Sequence, residues 1–325
     1  MAKVIPTEDE IKSWFSTYSN WGRWGDDDLL GTLNHITAAK RIAAAQSVEH
    51  GVTVSCAWDV SMNTANVGEH VPPQRMMVKT GLGYVDGSAD PVSPAGPRSS
   101  DGSMGTASEL ISMVFHGRPI THLDALSHVF WRGKMYGGMP SAYVTDRDGA
   151  TVHDVRSAQN GIQTRGVLLD VARVKRLKSL DTTEGVFPED LEAAEAAQGV
   201  KVEPGDVLLL RTGDGYRRVD HTWNPDVEGQ PGLHAACIPW LYERGVAAIG
   251  ADGPQELNPS GYPGIALPVH SVGIVAMGLW LIDNCQLEDL AATCERYQRW
   301  HFLFSLAPLR LSGVTGSPVN PMALF

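Results

Sequence analysis

Short apolar runs alternate along the second half of the chain with segments of helical periodicity. Residues 167–171 and 207–211 are rich in leucine and valine and are bounded by turn residues, so each predicts a buried strand. The segment Pro188–Gln198 between them predicts a helix. Residues 234–244 predict another helix, which leads into a strand at 246–250. Such alternation is typical of an α/β domain, and no internal repeat stands out.

The N-terminal part of the chain carries clear local signals. Residues 7–18 predict a short amphipathic helix, with Thr7 as its N-cap and Glu10 completing a capping box. Residues 37–50 are rich in alanine and predict a second helix. Residues 52–60 alternate between apolar and polar positions, as a strand with one buried face does.

Periodicity is lost between residues 63 and 108. This segment is rich in Pro, Gly and Ser and has few regularly spaced apolar positions, which predicts a long loop. Residues 110–115 after it predict a buried strand. We expect one α/β domain over residues 1–325, from which this loop projects.

Composition and charge narrow the range of partners. The 325 residues are 43% hydrophobic and 19% charged, which is ordinary for a globular protein. A net charge of −11 argues against nucleic acid or an anionic membrane as a partner. No apolar run is long enough to cross a bilayer, and the first residues lack the apolar core of a secretory signal. Four widely spaced cysteines without a C-x-x-C pair predict reduced thiols and a cytoplasmic protein: Cys56, Cys237, Cys285 and Cys294.

Several common motifs for nucleotide binding and catalysis are missing from the sequence. No G-x-G-x-x-G follows a predicted strand, and no G-x-x-x-x-G-K-[ST] occurs, so nucleotide binding through these loops has no support. The chain also lacks a G-x-S-x-G elbow, which disfavours a serine hydrolase. Catalytic chemistry has to come from other side chains.

Three histidines and an aspartate lie within thirteen positions, among apolar neighbours. They are His116, His122, Asp124 and His128. Neutral imidazole and carboxylate are the usual ligands of zinc, manganese and iron. In an extended chain His122 and Asp124 point to the same side, and His128 arrives from the next turn of chain. The spacing predicts a metal site, and the alternative is a set of surface or hydrogen-bonded core histidines.

The run T-H-L-D-A-L-S-H at 121–128 resembles the signature H-x-G-T-H-x-D-x-P-x-H of the metal-dependent cyclase family, which includes bacterial kynurenine formamidases and isatin hydrolase. Further segments resemble the longer members of this family, so the similarity covers nearly the whole chain. They are NWGRWGDDDLLGTLNHIT, HVFWRGKMYGG, LPVHSVGIVAMGLWLIDN and APLRLSGVTGSPVNPMAL. The resemblance implies a single α/β domain of the swivelling β/β/α type, with a mixed sheet and flanking helices, in a homodimer or homotetramer.

The resemblance also implies roles for individual residues. His122 and Asp124 match metal ligands of the family, and His128 matches its general base. His270 matches a further ligand, and Asp283 stands where the family has a glutamate that bridges two ions. Because an aspartate is one methylene shorter, Asp283 would bind after a small backbone shift or act through water.

The family signature is not matched in full. Its first histidine falls on Arg118, its glycine on Ile120 and its proline on Leu126. A guanidinium has no lone pair to offer a metal, so one ligand is missing unless His116 replaces it. The sequence therefore predicts one divalent transition metal ion per chain. Zinc and manganese both suit a site of His and Asp ligands.

Further polar and aromatic residues are candidates for the site. The planar fork of Arg118 suits a carboxylate or an oxyanion of the substrate. By resemblance Trp21 or Trp24 lines the substrate pocket, and the alternative is an aromatic lid over the core. Asp252 and Glu256 follow a predicted strand, where α/β folds place ligands. For both residues the alternative is turn formation or helix capping, which is favoured for Asp252.

The predicted function is hydrolysis of a small cyclic amide, an aryl formamide or a lactone by metal-activated water. By resemblance, His128 takes the proton from water and returns it to the leaving nitrogen or oxygen. One alternative is a cyclase, dehydratase or isomerase of the same fold, which does not consume water. The other is a small-molecule binding protein without catalysis, as the departures at Arg118, Leu126 and Asp283 suggest.

Overall fold

A nine-stranded mixed sheet runs through the computed structural model, which describes residues 3–60, 72–82, 104–220 and 224–325. Within these ranges the strands are β1 (Thr53–Ser55), β2 (Gln74–Lys79), β3 (Ser108–Ser112), β4 (His122–Asp124), β5 (Val144–Thr145), β6 (Gly149–Ala150), β7 (Ile162–Asp170), β8 (Gly185–Val186), β9 (Val207–Arg211), β10 (Gly232–Leu233), β11 (Ala248–Ala251), β12 (Trp280–Asp283), β13 (His301–Leu306), β14 (Gly316–Pro318) and β15 (Met322–Leu324). The helices are α1 (Glu8–Thr17), α2 (Ala38–Gln46), α3 (Val171–Val174), α4 (Pro188–Gln198), α5 (Asp214–Asp220), α6 (Pro225–Glu228), α7 (Cys237–Arg244), α8 (Pro268–Val272) and α9 (Glu288–Tyr297). The strand order in the main sheet is β1-β15-β13-β7-β9-β11-β12-β4-β14.

Four parallel strands form the centre of the main sheet. The strands β7, β9, β11 and β12 run in the same direction, and β9, β11 and β12 are buried along their whole length. A parallel strand that is covered on both faces has a continuous apolar sequence, which explains why these runs are recognisable. The predictions of β9 and α4 are confirmed residue for residue, and β7 begins at Ile162 rather than at 167.

Antiparallel strands complete both sides of the sheet. The strands β13 and β15 extend it beyond β7, whereas β4 and β14 extend it beyond β12. In the β4–β12 pair, His122 lies opposite Asp283 and Asp124 lies opposite Leu281. The start of β4 therefore meets the carboxyl end of β12, at the edge where α/β sheets place their ligands.

Both N-terminal helices begin at a threonine cap, and the cap at Thr7 was predicted. The Thr7 side chain accepts a hydrogen bond from the backbone of Glu10, and the Glu10 carboxylate accepts one from the backbone of Thr7 at 2.6 Å. Thr37 caps α2 by accepting from the backbone of Lys40 at 3.1 Å. Such caps satisfy the free amides of the first turn locally, so short sequence patterns are enough to predict them.

The prediction of a long loop between residues 63 and 108 is wrong at Gln74–Lys79, which form β2. The strands β2 and β3 pair antiparallel in a separate two-stranded ribbon, with Arg75 opposite Ile111. The remainder of the predicted loop, residues 63–71 and 83–103, lies outside the described residues. The Pro- and Gly-rich composition concealed β2, whose apolar positions do not alternate with polar ones.

The strand predicted at 110–115 exists as β3, but the prediction that it is buried is wrong. Leu110 and Ile111 are 52% and 51% exposed. Among the described strands, β3 pairs with β2 and with no strand of the main sheet. Among the described residues, its apolar side chains are therefore not covered as those of the central strands are.

Other predictions hold with shifted boundaries. The strand predicted at 52–60 is limited to β1, which pairs with β15, and α7 begins later than the helix predicted at 234–244. The four cysteines are buried and free, as predicted. Within the described ranges, no helix is long and apolar enough to span a bilayer.

Candidate metal centre

Asp124 lies at the centre of a buried polar cluster at the carboxyl edge of β12. It is the last residue of β4 and is 1% exposed. Among the described residues, neither of its carboxylate oxygens has an aligned hydrogen-bond partner. A buried carboxylate without partners is strongly unfavourable unless a cation compensates its charge.

Two imidazoles approach one oxygen of this carboxylate. His116 Nδ1 lies 2.9 Å and His122 Nε2 lies 3.5 Å from Asp124 Oδ1. Although it is close to Asp124, His116 Nδ1 is also buried without an aligned hydrogen bond. These three residues could hold a metal ion, and we call them the outer donor set.

Two further groups approach the other oxygen. His270 Nε2 lies 3.4 Å from Asp124 Oδ2 and 3.3 Å from Asp283 Oδ2. The three side chains are between 1% and 8% exposed. We call Asp124, His270 and Asp283 the inner donor set, which could hold an ion with two carboxylates and one imidazole.

The separations within the two sets suit a tetrahedral ion. Ligand atoms about 2.1 Å from such an ion stand about 3.4 Å from one another. The distances of 3.3, 3.4 and 3.5 Å agree with that value, whereas the 2.9 Å between His116 and Asp124 requires a small shift. Imidazole and carboxylate are the donors that zinc and manganese take. The residues present therefore fit a divalent transition metal.

Contacts behind the outer set determine which ring nitrogen faces Asp124. His122 Nδ1 pairs with the carbonyl of Ile120 at 2.9 Å, and His116 Nε2 pairs with Thr315 Oγ1 at 3.0 Å. His116 also packs on Gly316 in β14, where a Cβ would come within 2.7 Å of the ring. The C-terminal segment thus supports the site through Thr315 and Gly316.

Glu256 and Gln255 form the corresponding contacts behind the inner donor set and orient its side chains. His270 Nδ1 pairs with Glu256 Oε2 at 2.6 Å, which leaves Nε2 to face the cluster. Gln255 Nε2 donates to Asp283 Oδ1 at 2.9 Å. Outer carboxylates of this kind orient a ligating histidine and raise its basicity. Sequence reasoning included Glu256 among its weaker candidates and missed Gln255, although both follow a strand end.

His128 stands beside the outer set without belonging to it. Its ring stacks on His116, with centroids 3.9 Å apart and planes 3° from parallel. His128 Nε2 is 3.9 Å from Asp124 Oδ1, and its side chain is 28% exposed, more than that of any other imidazole in the cluster. An imidazole that is close to the cluster and partly exposed suits proton transfer.

Charges within the cluster shift the pKa values of its members in different directions. Burial alone would raise the pKa of Asp124, but the surrounding imidazoles, His128 foremost, hold it well below its usual value. Burial would lower the pKa of His270, but Glu256 and Asp283 raise it well above its usual value. Burial lowers the pKa of His128 to about 4, against the opposing charge of Asp124. His128 is therefore a neutral imidazole at physiological pH.

Arg118 belongs to the loop between His116 and His122. Its carbonyl accepts a hydrogen bond from the guanidinium of Arg218. Burial is the main cause that lowers the pKa of Arg218, and the charge of Arg118 acts in the same direction. Contact between Arg118 and a substrate stays a prediction.

The two tryptophans predicted to line the substrate pocket lie in different surroundings. Trp21 Nε1 donates to the carbonyl of Val275 at 2.7 Å, and its ring packs against Gly138. Trp24 packs edge-on against His35, with centroids 5.2 Å apart. These contacts agree with the aromatic-lid alternative, and a role of either tryptophan in substrate binding stays a prediction.

Asp252 has the structural role that sequence reasoning gave as its alternative. Its buried carboxylate accepts hydrogen bonds from the backbone amides of Thr212, Gly213 and Asp214 at 2.8–3.1 Å. It therefore fixes the turn between β9 and α5.

Comparisons with known proteins identify relatives of the chain. The family model Cyclase matches residues 90–255. A crystal structure described as a novel cyclase is 33% identical in sequence and has a TM-score of 0.82, and the match covers 94% of this chain and 99% of that chain. No curated protein sequence matches the chain.

Two solved structures with lower identity share the fold. Isatin hydrolase A from Labrenzia aggregata, bound to benzyl benzoate, has a TM-score of 0.57 at 18% identity, covering 89% of this chain and 99% of that chain. A predicted metal-dependent hydrolase from Bacillus stearothermophilus has a TM-score of 0.51 at 13% identity, covering 84% and 97%. The α/β fold expected from the sequence is thereby confirmed. Because the family model spans more than half of the chain and a 33% identical structure matches nearly all of it, the chain belongs to the Cyclase family.

Proposed function

We propose that this chain is a metal-dependent hydrolase that cleaves a C–N or C–O bond of a small cyclic amide, an aryl formamide or a lactone. The observation that carries the proposal is the buried Asp124 carboxylate, whose two oxygens face imidazoles without an aligned hydrogen bond. Structures with the same fold that are described as an isatin hydrolase and a metal-dependent hydrolase support the same class of reaction.

The two donor sets differ in how firmly they would hold an ion. The inner set has two carboxylates and is almost fully buried, whereas the outer set has one carboxylate and includes His116, which is 21% exposed. Because Arg118 cannot be a ligand, the sequence predicts one ion, and His116 is placed to supply the missing donor of the outer set. We propose one tightly held ion, zinc or manganese, in the inner set, with the outer set open to a second, weaker one.

The chemistry that follows is addition of water to a carbonyl carbon. A divalent ion bound there would supply Lewis acidity, which polarises a substrate carbonyl and lowers the pKa of bound water towards neutrality. His128 Nε2 takes one proton from the attacking water and gives it to the leaving nitrogen or oxygen as the bond to carbon breaks. Arg118, in the neighbouring loop, would bind a carboxylate or oxyanion of the substrate.

A second candidate function follows from the family itself. A structure that is 33% identical is described as a novel cyclase, and a cyclase, dehydratase or isomerase uses the same Lewis acid without consuming water. Both candidates need the donor sets, and they differ in whether an oxygen atom of water enters the product.

Product analysis in heavy-oxygen water separates the two candidates. The metal-loaded protein is screened against cyclic amides, aryl formamides and lactones, and products are examined by mass spectrometry. Hydrolysis incorporates one labelled oxygen for each bond cleaved, which is the expected result. Product that forms without label would favour the second candidate, and a metal-loaded protein that turns over no compound of these classes would argue against the proposed hydrolase.

We expect the affinity for metal to rise with pH. Glu256 and Asp283 outweigh the effect of burial and hold the pKa of His270 well above its usual value, so metal-free His270 carries a proton at neutral pH. An ion has to displace this proton, so binding should strengthen by about tenfold per pH unit until His270 is neutral. Titrations with Zn²⁺ at several pH values around neutrality measure this slope.

Glu256→Gln is the control for this prediction. The amide oxygen can still accept from His270 Nδ1, whereas the amide nitrogen cannot accept from the His270 backbone as Glu256 Oε1 does. The negative charge that raises the pKa of His270 most is gone. The pH dependence of Zn²⁺ binding should therefore become weaker around neutrality. Equal slopes for wild type and variant would show that His270 is not the group that releases the proton.

A further inference from the structure

A buried asparagine, Asn284, binds the loop that connects the metal-donor residues His116 and His122. Asn284 directly follows Asp283 at the end of β12. Its side-chain Nδ2 donates to the carbonyl of Gly117 at 2.8 Å and, at 3.4 Å, to that of Ile120. Both carbonyls belong to the loop that connects His116 to His122, which lies outside the strands of the sheet.

The same residue is also held through its backbone. Its carbonyl accepts a hydrogen bond from Thr121 Oγ1 at 2.7 Å, and its amide donates to the carbonyl of Gly253 at 3.1 Å. Thr121 immediately precedes His122. The backbone of Asn284 and its side chain therefore bind the same loop from two directions.

Arg218 fixes the orientation of the Asn284 amide. One nitrogen of its buried guanidinium donates to Asn284 Oδ1, and another donates to the carbonyl of Arg118 in the same loop. Because the oxygen of Asn284 faces Arg218, its nitrogen has to face Gly117 and Ile120. The carbonyl of Ile120 in turn pairs with Nδ1 of His122. The hydrogen-bond network therefore reaches a residue of the outer donor set.

The backbone conformation of Asn284 restricts which residues can replace it. Its φ of +58° lies in the left-handed region, which asparagine, aspartate and glycine adopt at little cost. This conformation turns the side chain from the end of β12 towards the loop. Substitutions to Gly and Asp can therefore change the hydrogen bonds while leaving the backbone unstrained.

We propose that Asn284, oriented by Arg218, is a positioning residue for the metal centre. It ties the loop that carries His116 and His122 to the strand end that carries Asp283, and so sets the distance between the outer and inner donors around Asp124. The inference rests on the proposed function only in requiring that these donors bind a divalent ion. Ligand atoms have to stand within a few tenths of an ångström of their ideal places, which an irregular loop does not maintain without such contacts.

The test compares Asn284→Gly and Asn284→Asp with the wild type. The Gly variant removes the whole side chain, whereas the Asp variant keeps an oxygen for Arg218 but cannot donate to Gly117 and Ile120. Zn²⁺ affinity is measured by competition with a chromophoric chelator, together with the thermal midpoint of the metal-free protein. We expect both variants to bind Zn²⁺ about 10- to 100-fold more weakly, the range for loss of an outer-shell partner.

Gln298→Gly is the matched control for the backbone. Gln298 is exposed, has a φ of +50° and directly follows α9, where its side chain donates to the carbonyl of Glu295. Replacing it with glycine should leave Zn²⁺ affinity unchanged. Thr121→Val is a second variant for the loop contact, because valine has a similar shape but cannot donate to Asn284, and it should also weaken Zn²⁺ binding.

The outcomes separate a positioning role from a general structural one. A lower thermal midpoint with wild-type Zn²⁺ affinity in the folded variants would overturn the proposal, as would an Asn284→Asp protein that binds Zn²⁺ normally. If Asn284→Gly does not fold, wild-type affinity in Thr121→Val and Asn284→Asp overturns it equally. The measurement needs no substrate, so wild type that binds Zn²⁺ but hydrolyses nothing would refute the proposed hydrolase and leave this inference standing. Wild type that binds no Zn²⁺ would refute the metal centre and this inference with it.

Discussion

Asp124→Ala is expected to remove bound metal and activity together. The carboxylate of Asp124 is the one donor that both sets share, and its oxygens have no aligned hydrogen-bond partner among the described residues. Loss of an outer-shell partner lowers metal affinity by about 10- to 100-fold, and loss of a ligand shared by both sets should lower it further. Elemental analysis and turnover are measured on the same preparation.

Asp289→Ala is the control for this substitution. Asp289 is an exposed carboxylate in the first turn of α9, outside both donor sets, so its loss should change neither metal content nor turnover. If Asp124→Ala is insoluble, Asp124→Asn keeps the shape of the side chain and removes its charge. Normal metal content and turnover in either Asp124 variant would contradict the metal centre.

His128→Ala should keep the metal and lose about 10²- to 10⁴-fold in turnover, the usual contribution of a general base. His128 belongs to neither donor set and lies 3.9 Å from Asp124 Oδ1. Its pKa, lowered to about 4 by burial, leaves the imidazole free to accept a proton over the physiological pH range. Metal content and turnover of the folded variant decide the role.

His116→Ala provides the matched comparison. The rings of His116 and His128 stack 3.9 Å apart, so both substitutions open a similar space at the same place. Of these two stacked histidines, only His116 belongs to the outer donor set. His116→Ala should therefore weaken binding of the second ion. A His128→Ala protein that retains metal and near wild-type turnover would refute the general base. Joint loss of metal and activity would make His128 a ligand instead.

Local sequence was sufficient to predict a strand that is buried on both faces and a helix that is defined by its own residues. The strand β9 and the helix α4 match their predicted residues, because a strand covered on both faces is apolar throughout and a helix start is set by nearby residues. The cap of α1 was predictable for the same reason, since Thr7 and Glu10 satisfy each other.

Burial of a strand could not be predicted from its own residues. Leu110 and Ile111 have the composition of a core strand, yet β3 pairs with β2 outside the main sheet and leaves both half exposed. Whether an apolar strand is covered depends on which strands and helices pack against it, and that information lies elsewhere in the chain.

The sequence by itself determined the central part of the candidate site. Period-2 geometry predicted that His122 and Asp124 share a face, and they lie together in β4. Resemblance to the family added His270 and Asp283, and the antiparallel pairing of β4 with β12 brings Asp283 opposite His122.

Only the tertiary structure decided what surrounds these donors. His116 takes its place through Thr315 and Gly316, which follow it by about two hundred positions, and Glu256 orients His270 from a separate loop. Asn284 serves His122 through hydrogen bonds to backbone carbonyls. A carbonyl is common to every residue, so the sequence carries no sign of which carbonyl a side chain will bind. The donors were predictable because metal binding requires particular side chains, whereas their supports depend on distances that arise when the chain folds.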